Sequence, residues 1–421
     1  MGSAREVVVT GVGVVSPIGI GRDEFWQSLR EGRSGVGKIA AYDGVGMPVE
    51  FGAEVGQFDP KQYVTPRKSL KVMSREIQFA FAAAELARAD AGLDTQAVDP
   101  DRFGVVFGSD MIYVDPAELQ EAVRACMDNG KFAYSKWGKR ALGEMYPLWM
   151  LKYLPNMPAC HIAIAQDARG PNNSILLSEA SSLAALAEAM RTIERGQADV
   201  VITGGTGSRI HPMSWVFRDD TQMSHRAEQP AAASRPFDAG RDGVVYGEGA
   251  ASFIVESRQH AESRGARVQA RVLSYGNAFE RPGPNRHFEG TAIRHSIRSA
   301  LAAAHLEPSS VGHVNAHGLS TVEQDLAEAA AIRDILADVP VTAPKSFFGN
   351  LGAGTGAVEM AASVIALRQR EVPFTLNYQR PDSKCPISVV RDAPLALDKP
   401  IALLLNQTSM GQSMAVVIAG P

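Results

Sequence analysis

The sequence contains few cysteines. Among its 421 residues there are three, Cys126, Cys160 and Cys385. They are widely spaced, and they form neither a CxxC pair nor a cluster with histidine. This excludes the usual zinc-binding patterns and a disulfide framework. We therefore predict no metal site.

Long hydrophobic runs and a strong charge of one sign are also lacking. No apolar run approaches the ~20 residues needed to cross a bilayer. The opening MGSAREVVVTG lacks the charged and apolar regions of a secretory signal. The net charge of −4 argues against nucleic-acid binding as the main task. These features lead us to expect a cytoplasmic protein with no membrane span and no nucleic-acid partner.

Short β-branched runs alternate with helical patterns along the whole chain. One helical face is formed by Leu183, Leu186, Met190 and Ile193, and it ends at Gly196. A second helical face runs from Val358 to Ile365. Eight runs are predicted as buried strands: Val7 to Thr10, Gly104 to Phe107, Val200 to Thr203, Ser252 to Val255, Val272 to Tyr275, His313 to Ala316, Ile401 to Leu405 and Met414 to Ile418. Strands interleaved with helices indicate a layered α/β architecture.

The chain divides into two similar halves, which we predict as 1–256 and 257–421. Each half has a glycine-rich loop after a strand, then a helix, then a closing pair of strands. The segment of about 110–165 interrupts the first half. It contains an amphipathic helix from Pro116 to Met127, with Asp115 as its N-cap, and a run of aromatic residues. This segment is predicted as an inserted helical subdomain.

Five motifs occur in a fixed order with consistent spacing. They are VVVTGVGVVSPIG near the start, GPNNSILLSEASS, RPFDAGRDGVVYGEGA, VNAHGLSTVEQDLAE and KSFFGNLGAGTGAVE. Together they closely resemble the β-ketoacyl-[acyl-carrier-protein] synthases, the elongating condensing enzymes of the thiolase superfamily. The resemblance runs nearly end to end. It implies a thiolase-like five-layer α-β-α-β-α fold, in which the segment 110–165 would form a helical cap over an acyl pocket. We favour that cap over a plain surface subdomain.

The resemblance places an unexpected residue at the nucleophile position. In the family motif GPN-x-x-x-x-TACAS a cysteine attacks the thioester, and here that position is Glu179. A carboxylate is a poor nucleophile toward a thioester, whereas a thiolate is a strong one. We therefore expect no cysteine-based condensation. The two histidines that polarise the thioester carbonyl in the family fall on His317 and Asn350, and a His–Asn pair can still donate the required hydrogen bonds.

Other positions acquire roles through the same resemblance. Lys345 and Glu328 match a pair that supports the site from behind, and we interpret them as an ion pair joining two loops. Ser320 and Thr321, in the loop after His317, are expected to bind substrate.

The C-terminal loop NQTSMGQSMAVV departs from the family pattern. Thr408 and Met410 stand where the family has gating phenylalanines, and Gln412 replaces the second glycine of a pair. We expect Thr408 and Met410 to line the substrate site, with a reshaped or fixed gate.

The family resemblance also implies partners. An acyl carrier protein would bring its own phosphopantetheine, so no resident cofactor is expected. Arg67, Lys68 and Lys71 match a basic stretch that would dock this acidic carrier, although a solvated helix face explains them almost equally well. The thiolase fold further implies a homodimer, or a heterodimer with a cysteine-bearing synthase.

Three interpretations of function stay open. In the first, which we favour, the chain is an enzyme on carrier-protein thioesters of fatty acid or polyketide biosynthesis, with Glu179 as a general acid or base. In the second it is a non-catalytic partner that resembles a chain-length factor. In the third it is a malonyl-carrier-protein decarboxylase with a neutral Glu179. An ionised Glu179 would oppose a malonyl carboxylate, because like charges ~4 Å apart cost on the order of 4 kcal/mol at an effective dielectric of ~20.

Overall fold

The computed structural model describes residues 5–43, 46–217, 222–281, 283 and 288–421. Its strands are β1 Val7–Ser16, β2 Gly19–Ile20, β3 Val36–Lys38, β4 Phe51–Ala53, β5 Phe103–Gly108, β6 Met127–Asp128, β7 Lys131–Phe132, β8 Asn172–Ile175, β9 Val200–Ser208, β10 Glu248–Ser257, β11 Ala270–Phe279, β12 His313–Asn315, β13 Pro340–Thr342, β14 Glu371–Val372, β15 Ser388–Val389, β16 Leu395–Ala396, β17 Ile401–Gln407 and β18 Gln412–Ala419. Its α-helices are α1 Arg22–Glu31, α2 Arg75–Asp90, α3 Pro116–Ala125, α4 Leu142–Glu144, α5 Met157–Gln166, α6 Ser181–Glu194, α7 Arg258–Ser263, α8 Thr291–Ala303, α9 Val322–Leu336, α10 Lys345–Phe348 and α11 Thr355–Gln369.

The long strands form one continuous sheet built from two halves. Its order is β15-β13-β12-β17-β18-β11-β1-β10-β9-β5-β8. Strands of the second half of the sequence therefore lie on one side, and strands of the first half lie on the other. The halves join where β1 pairs with β11 in antiparallel register, Val7 facing Val272. The strand β8 lies at the free edge of the first half.

Helices cover both faces of each half-sheet. Helices α6 and α11 pack in the middle, against β9 and β10 on one side and β17 and β18 on the other. Helices α2 and α5 cover the outer face of the first half, and α8 and α9 cover that of the second. The succession is helix, sheet, helix, sheet, helix, as the family resemblance predicts. All eight predicted strands and both predicted central helices are present.

The inserted segment of about 110–165 was interpreted either as a helical cap over an acyl pocket or as a plain surface subdomain, and it has features of both. Asp115 caps α3 by accepting a hydrogen bond from the backbone N–H of Ala117 at 2.9 Å. A small core of its own contains Ala122, Cys126 and Met145. At its two ends, however, the segment reaches the main body through Ile112 and helix α5. Its role as a cap over a pocket stays a prediction.

The predicted division into 1–256 and 257–421 falls at the end of β10, and it also stays a prediction. Residues 1–4 of the first predicted half lie outside the described residues. Within the described part of the chain, no helix combines the length and the apolar character required to cross a membrane.

Candidate active site

A sharp turn places Glu179 inside the protein. Ser178 has a left-handed backbone with φ 50°, and the following residues enter helix α6. The Ser181 hydroxyl holds this turn, because it accepts a hydrogen bond from the Leu177 N–H at 2.8 Å and donates to the Ser178 carbonyl at 2.7 Å. As a result Glu179 is only 8% exposed at the start of a central helix.

The Glu179 carboxylate is held by two side chains. Asn350 donates from Nδ2 to Glu179 Oε1 at 3.1 Å, and an Arg209 guanidinium nitrogen lies 3.4 Å from the same oxygen. The Asn350 amide is oriented by its own oxygen, which accepts from the Gly352 N–H at 2.9 Å and the Thr355 hydroxyl at 3.1 Å. The sequence-predicted residues Glu179 and Asn350 therefore do meet.

Arg209 was not predicted as a site residue. It follows β9 and is itself 8% exposed. Its guanidinium donates to Asp110 at 2.6 Å and to the Ser178 hydroxyl at 2.7 Å, in addition to Glu179. Space for it depends on Gly352, because a Cβ at that position would lie 2.4 Å from Arg209 Nε. The predicted strand ended at Thr203, whereas β9 runs to Ser208, so no pattern in the sequence marked Arg209.

These contacts decide the protonation of Glu179. Burial alone raises the pKa of a carboxyl group. Here the positive charge of Arg209, with hydrogen bonds from Ser178 and Asn350, outweighs burial and lowers the pKa of Glu179 below its ordinary value. Glu179 is therefore ionised at neutral pH.

His317 lies in a separate but neighbouring group of polar residues. Lys345 Nζ is 3.2 Å from His317 Nδ1, so this nitrogen accepts the hydrogen bond and the ring proton is assigned to Nε2. Burial, together with the Lys345 charge, lowers the pKa of His317 well below its ordinary value. Among the residues the structure describes, buried His317 Nε2 has no hydrogen-bond partner. A neutral imidazole thus presents one unused N–H donor.

Acidic residues fix the backbone and the lysine around His317. Glu328 accepts from the backbone N–H groups of His317 at 2.7 Å and Gly318 at 2.8 Å. Lys345 pairs with Glu359 and also donates to the His317 carbonyl at 2.5 Å. The predicted Lys345–Glu328 ion pair is therefore wrong, since the nearer carboxylate on α11 takes the lysine while Glu328 holds the loop. Burial raises the pKa of Glu328 to about 8 and that of Glu359 to about 7.

Two members of this group were missed by the sequence reasoning. Glu359 is the last residue of the quoted motif KSFFGNLGAGTGAVE, and Asn406 opens the C-terminal loop. Asn406 Nδ2 donates to Glu359 at 2.7 Å and lies 3.5 Å from His317 Nδ1. Both positions were within motifs already quoted, but their spacing in sequence gave no indication that they would meet.

The two loop residues predicted to bind substrate differ in their environments. The Ser320 hydroxyl accepts from the Arg235 backbone N–H at 3.0 Å, and the Ser320 carbonyl accepts from Gly243 at 3.0 Å. Ser320 therefore braces a neighbouring loop. The Thr321 hydroxyl oxygen is buried and has no partner among the described residues. A substrate role for either residue stays a prediction.

The predicted gate residues occupy the turn between β17 and β18. Thr408 is 7% exposed, and its hydroxyl bonds to the Gln412 side chain. Backbone bonds from Thr408 to Gln412 and from Gly411 to Thr408, each 3.0 Å, tighten the same turn. Met410 is 66% exposed. The turn is thus tied by Gln412, and the roles of Thr408 and Met410 as gate and as substrate contacts stay predictions.

The predicted docking residues Arg67, Lys68 and Lys71 share one short 3₁₀ helix, Arg67–Val72, and all three are exposed. Their role in docking stays a prediction.

Cys126, Cys160 and Cys385 belong to three packing clusters, none of which includes Ala180, the neighbour of Glu179. Burial raises the pKa of the Cys385 thiol to about 12. Within the described ranges there is no group of three or more potential metal ligands.

Five layers of helix and sheet, with Glu179 in the turn before α6 and a neighbouring group of His317, Lys345 and Glu359, define a protein of the thiolase fold. Family models agree with this class. The β-ketoacyl synthase N-terminal domain matches residues 4–261, and the C-terminal domain matches residues 270–379. The chain belongs to the β-ketoacyl synthase family.

Individual relatives extend over almost the whole chain. A 3-oxoacyl-[acyl-carrier-protein] synthase 2 of Synechocystis sp. is 34% identical over 95% of this chain and 94% of its own length. A putative polyketide β-ketoacyl synthase 1 of Streptomyces cyaneus is 35% identical over 99% of this chain and 98% of its own length.

Solved structures of ketosynthases have the same fold over the full length of this chain. The ishigamide ketosynthase/chain length factor superposes with a TM-score of 0.87 at 26% identity, over the full length of both chains. A type II polyketide ketosynthase, solved in complex with its acyl-carrier protein, superposes with a TM-score of 0.83 at 29% identity, again over both full chains.

Proposed function

We propose that this chain is a non-condensing subunit of fatty acid or type II polyketide synthesis, which pairs with a cysteine-bearing ketosynthase and shapes the pocket for its carrier-bound chain. One observation carries the proposal. The position where the resemblance puts the nucleophile holds an ionised carboxylate that is already bound by Arg209 and Asn350. A group with these partners and a lowered pKa is neither a nucleophile toward thioesters nor a strong base.

The ionised state also argues against the decarboxylase interpretation. That interpretation requires a neutral Glu179 that imitates an acyl thioester. The lowered pKa of Glu179 keeps a negative charge where the malonyl carboxylate would have to bind. Arg209 does not reverse this, because its one positive charge is already shared between Glu179 and Asp110.

The polar groups around His317 do not require a catalytic explanation. Glu328 satisfies two buried backbone N–H groups, and Lys345 satisfies the His317 carbonyl and the Glu359 carboxylate. Buried polar groups without such partners would destabilise the fold. The same residues can therefore be retained for structural reasons in a subunit that performs no chemistry.

The edge strand β8 favours a partner chain of the same fold. It is open on one side and leads directly to Leu176 and Leu177, which are 47% and 36% exposed, and then to Glu179. An open strand edge with exposed apolar neighbours is suited to pairing with another strand. The neighbouring structure that combines a ketosynthase with a chain length factor supports this assignment. The expected cytoplasmic location stays a prediction.

The test is co-expression with the cysteine-bearing synthase encoded nearest to this chain, followed by size-exclusion chromatography with light scattering. We expect a 1:1 complex, and we expect the product chain length of the synthase to change when this subunit is present. A stable homodimer that leaves the synthase unbound and its products unchanged would contradict the proposal.

A second function is favoured by one specific observation, the unused Nε2–H of His317. In this second function the donor would polarise a carbonyl, and Glu179, although its lowered pKa makes it a weak base, would remove a proton from the neighbouring carbon. The test is deuterium exchange into acyl-carrier protein in D₂O. Exchange that disappears in both Glu179→Gln and His317→Ala would establish this enzyme, while absence of exchange in the native chain would exclude it.

A further inference from the structure

A cavity lies next to the Arg209 side of the site, and its walls combine charged and hydroxyl-bearing side chains with a larger share of apolar surface. It encloses about 1090 Å³, part of it open to solvent. Tyr113 and Tyr153 come from the inserted segment, Tyr42 and His211 come from loops of the main body, and Glu76 comes from the first turn of α2. Apolar side chains, including Met73 and Ile210, complete the lining.

A smaller cavity connects this region with Arg209. It encloses about 250 Å³ and is lined by Asp110, Arg209, Gly352 and, again, Glu76. Glu76 and Ser208 line both cavities. Arg209 therefore contacts Glu179 and also borders the smaller cavity.

Glu76 differs from the other glutamates of the larger cavity. Glu248 is bound by Arg75 at 2.7 Å, and Glu118 is paired with Lys152. Within the described part of the chain, Glu76 has no salt bridge, although it is only 5% exposed. Its carboxyl group is bound locally by its own backbone N–H and by the hydroxyl of Ser74, and burial raises its pKa to about 7.

An unsubstituted alkyl chain would match only the apolar part of these walls. It would remove water from Glu76, the tyrosine hydroxyls and His211 without replacing the lost hydrogen bonds, and such uncompensated burial is costly. A carbon chain with hydroxyl groups could contact Met73 and Ile210 and also donate to Glu76. Sites built around buried polar groups discriminate strongly against ligands that lack the matching group.

We infer that this cavity binds a hydroxylated acyl chain, with Glu76 as the residue that recognises a chain hydroxyl. The inference rests on the proposed function, since it names the class of chain that the subunit would accommodate. Glu76 is here a binding residue, and no chemical step is assigned to it.

The experiment uses the purified full chain and hydrolysis-resistant amide analogues of acyl-pantetheine. The probes are octanoyl-pantetheine amide and three derivatives with one hydroxyl at carbon 3, 5 or 7, measured by isothermal titration calorimetry. We expect at least one hydroxylated probe to bind 10-fold or more tightly than the octanoyl probe. Glu76→Leu should abolish this preference, and Glu76→Gln, which keeps an acceptor oxygen, should retain part of it. Glu323→Leu, at an exposed site on α9, serves as the matched control.

Three outcomes would overturn the inference. They are equal or tighter binding of the octanoyl probe, an unchanged preference in Glu76→Leu, and no binding of any probe. A derivative with an amine in place of the hydroxyl should gain no further affinity, and a large gain would indicate a cation site instead. These titrations need no partner chain, so their failure is distinguishable from failure of the co-expression test.

Discussion

At the scale of single residues, the central feature is a buried acid, Glu179, at the start of helix α6. A carboxylate in the interior needs compensation, and Arg209 supplies it with Asn350 and Ser178 nearby. Gly352 provides the room for the guanidinium. The four side chains act as one unit, so changing one of them should affect the others.

Removal of the Arg209 charge tests that unit. Arg209→Met leaves Glu179 buried without a cation, and we expect a loss of about 3 kcal/mol in the free energy of unfolding at pH 7. The loss should shrink toward pH 5, because a protonated Glu179 needs no cation. Urea unfolding measures both values.

The double variant Arg209→Met/Glu179→Gln should recover most of the lost stability. Arg124→Met, which breaks an exposed pair with Glu121, is the control and should change stability by less than about 1 kcal/mol. A double variant no more stable than Arg209→Met would show that the two charges are not coupled.

The variant Glu179→Cys, which places a thiol at the start of α6, gives a second prediction. In Glu179→Cys the neighbouring Arg209 charge lowers the thiol pKa, so iodoacetamide should alkylate residue 179 readily. Loading by an octanoyl donor should stay poor, because Arg209 borders the space beside that residue. Glu179→Cys/Arg209→Ala should load at least 10-fold more, as measured by intact-protein mass spectrometry. Equal loading of the two variants would show that Arg209 is no obstacle.

At the scale of elements, the loop between β12 and α9 is held by a buried acid. The pKa of Glu328 is raised to about 8 in the folded chain, above its ordinary value of 4.5. The folded state therefore binds this proton more tightly than the unfolded state does. The stability that Glu328 contributes is fully present below pH 4.5 and is lost as pH rises through 8.

Glu328→Gln should reduce that dependence on pH. We expect a loss of about 1–3 kcal/mol at pH 5, since the amide can accept only one of the two backbone N–H bonds well. The difference from the native chain should diminish toward pH 9. Urea unfolding from pH 5 to 9 provides the comparison, with Glu323→Gln as control, and a pH-independent difference would contradict the assignment of the proton to Glu328.

At the scale of the whole molecule, strand β8 offers the surface for pairing with a second chain. Leu176→Asp places a charge beside its open edge, and we expect at least a 10-fold weaker complex with the cysteine-bearing synthase. Val322→Asp, at an apolar position 52% exposed on α9, should leave the complex intact. Sedimentation velocity measures the affinity of each variant for the synthase. Equal affinities of the two variants would show that the interface does not include the edge of β8.

The sequence by itself determined the family, the layered fold and the identity of the unusual residue. These follow from local patterns, namely β-branched runs, helical faces and motifs in a fixed order. Glu179, Asn350, His317 and Lys345 were located through these motifs. Each has a fixed position within its motif, so the sequence locates the residue, while its role stays a prediction.

Only the tertiary structure decided what surrounds these residues. Arg209 and Glu179 are separated by 30 residues, and the pairing of Lys345 with Glu359 rather than Glu328 depends on how α11 packs against the loop after β12. Protonation follows from such contacts, since burial and Arg209 act on the same carboxylate in opposite directions. The protonation state of Glu179 therefore depends on contacts within the folded interior. A sequence motif does not specify those contacts.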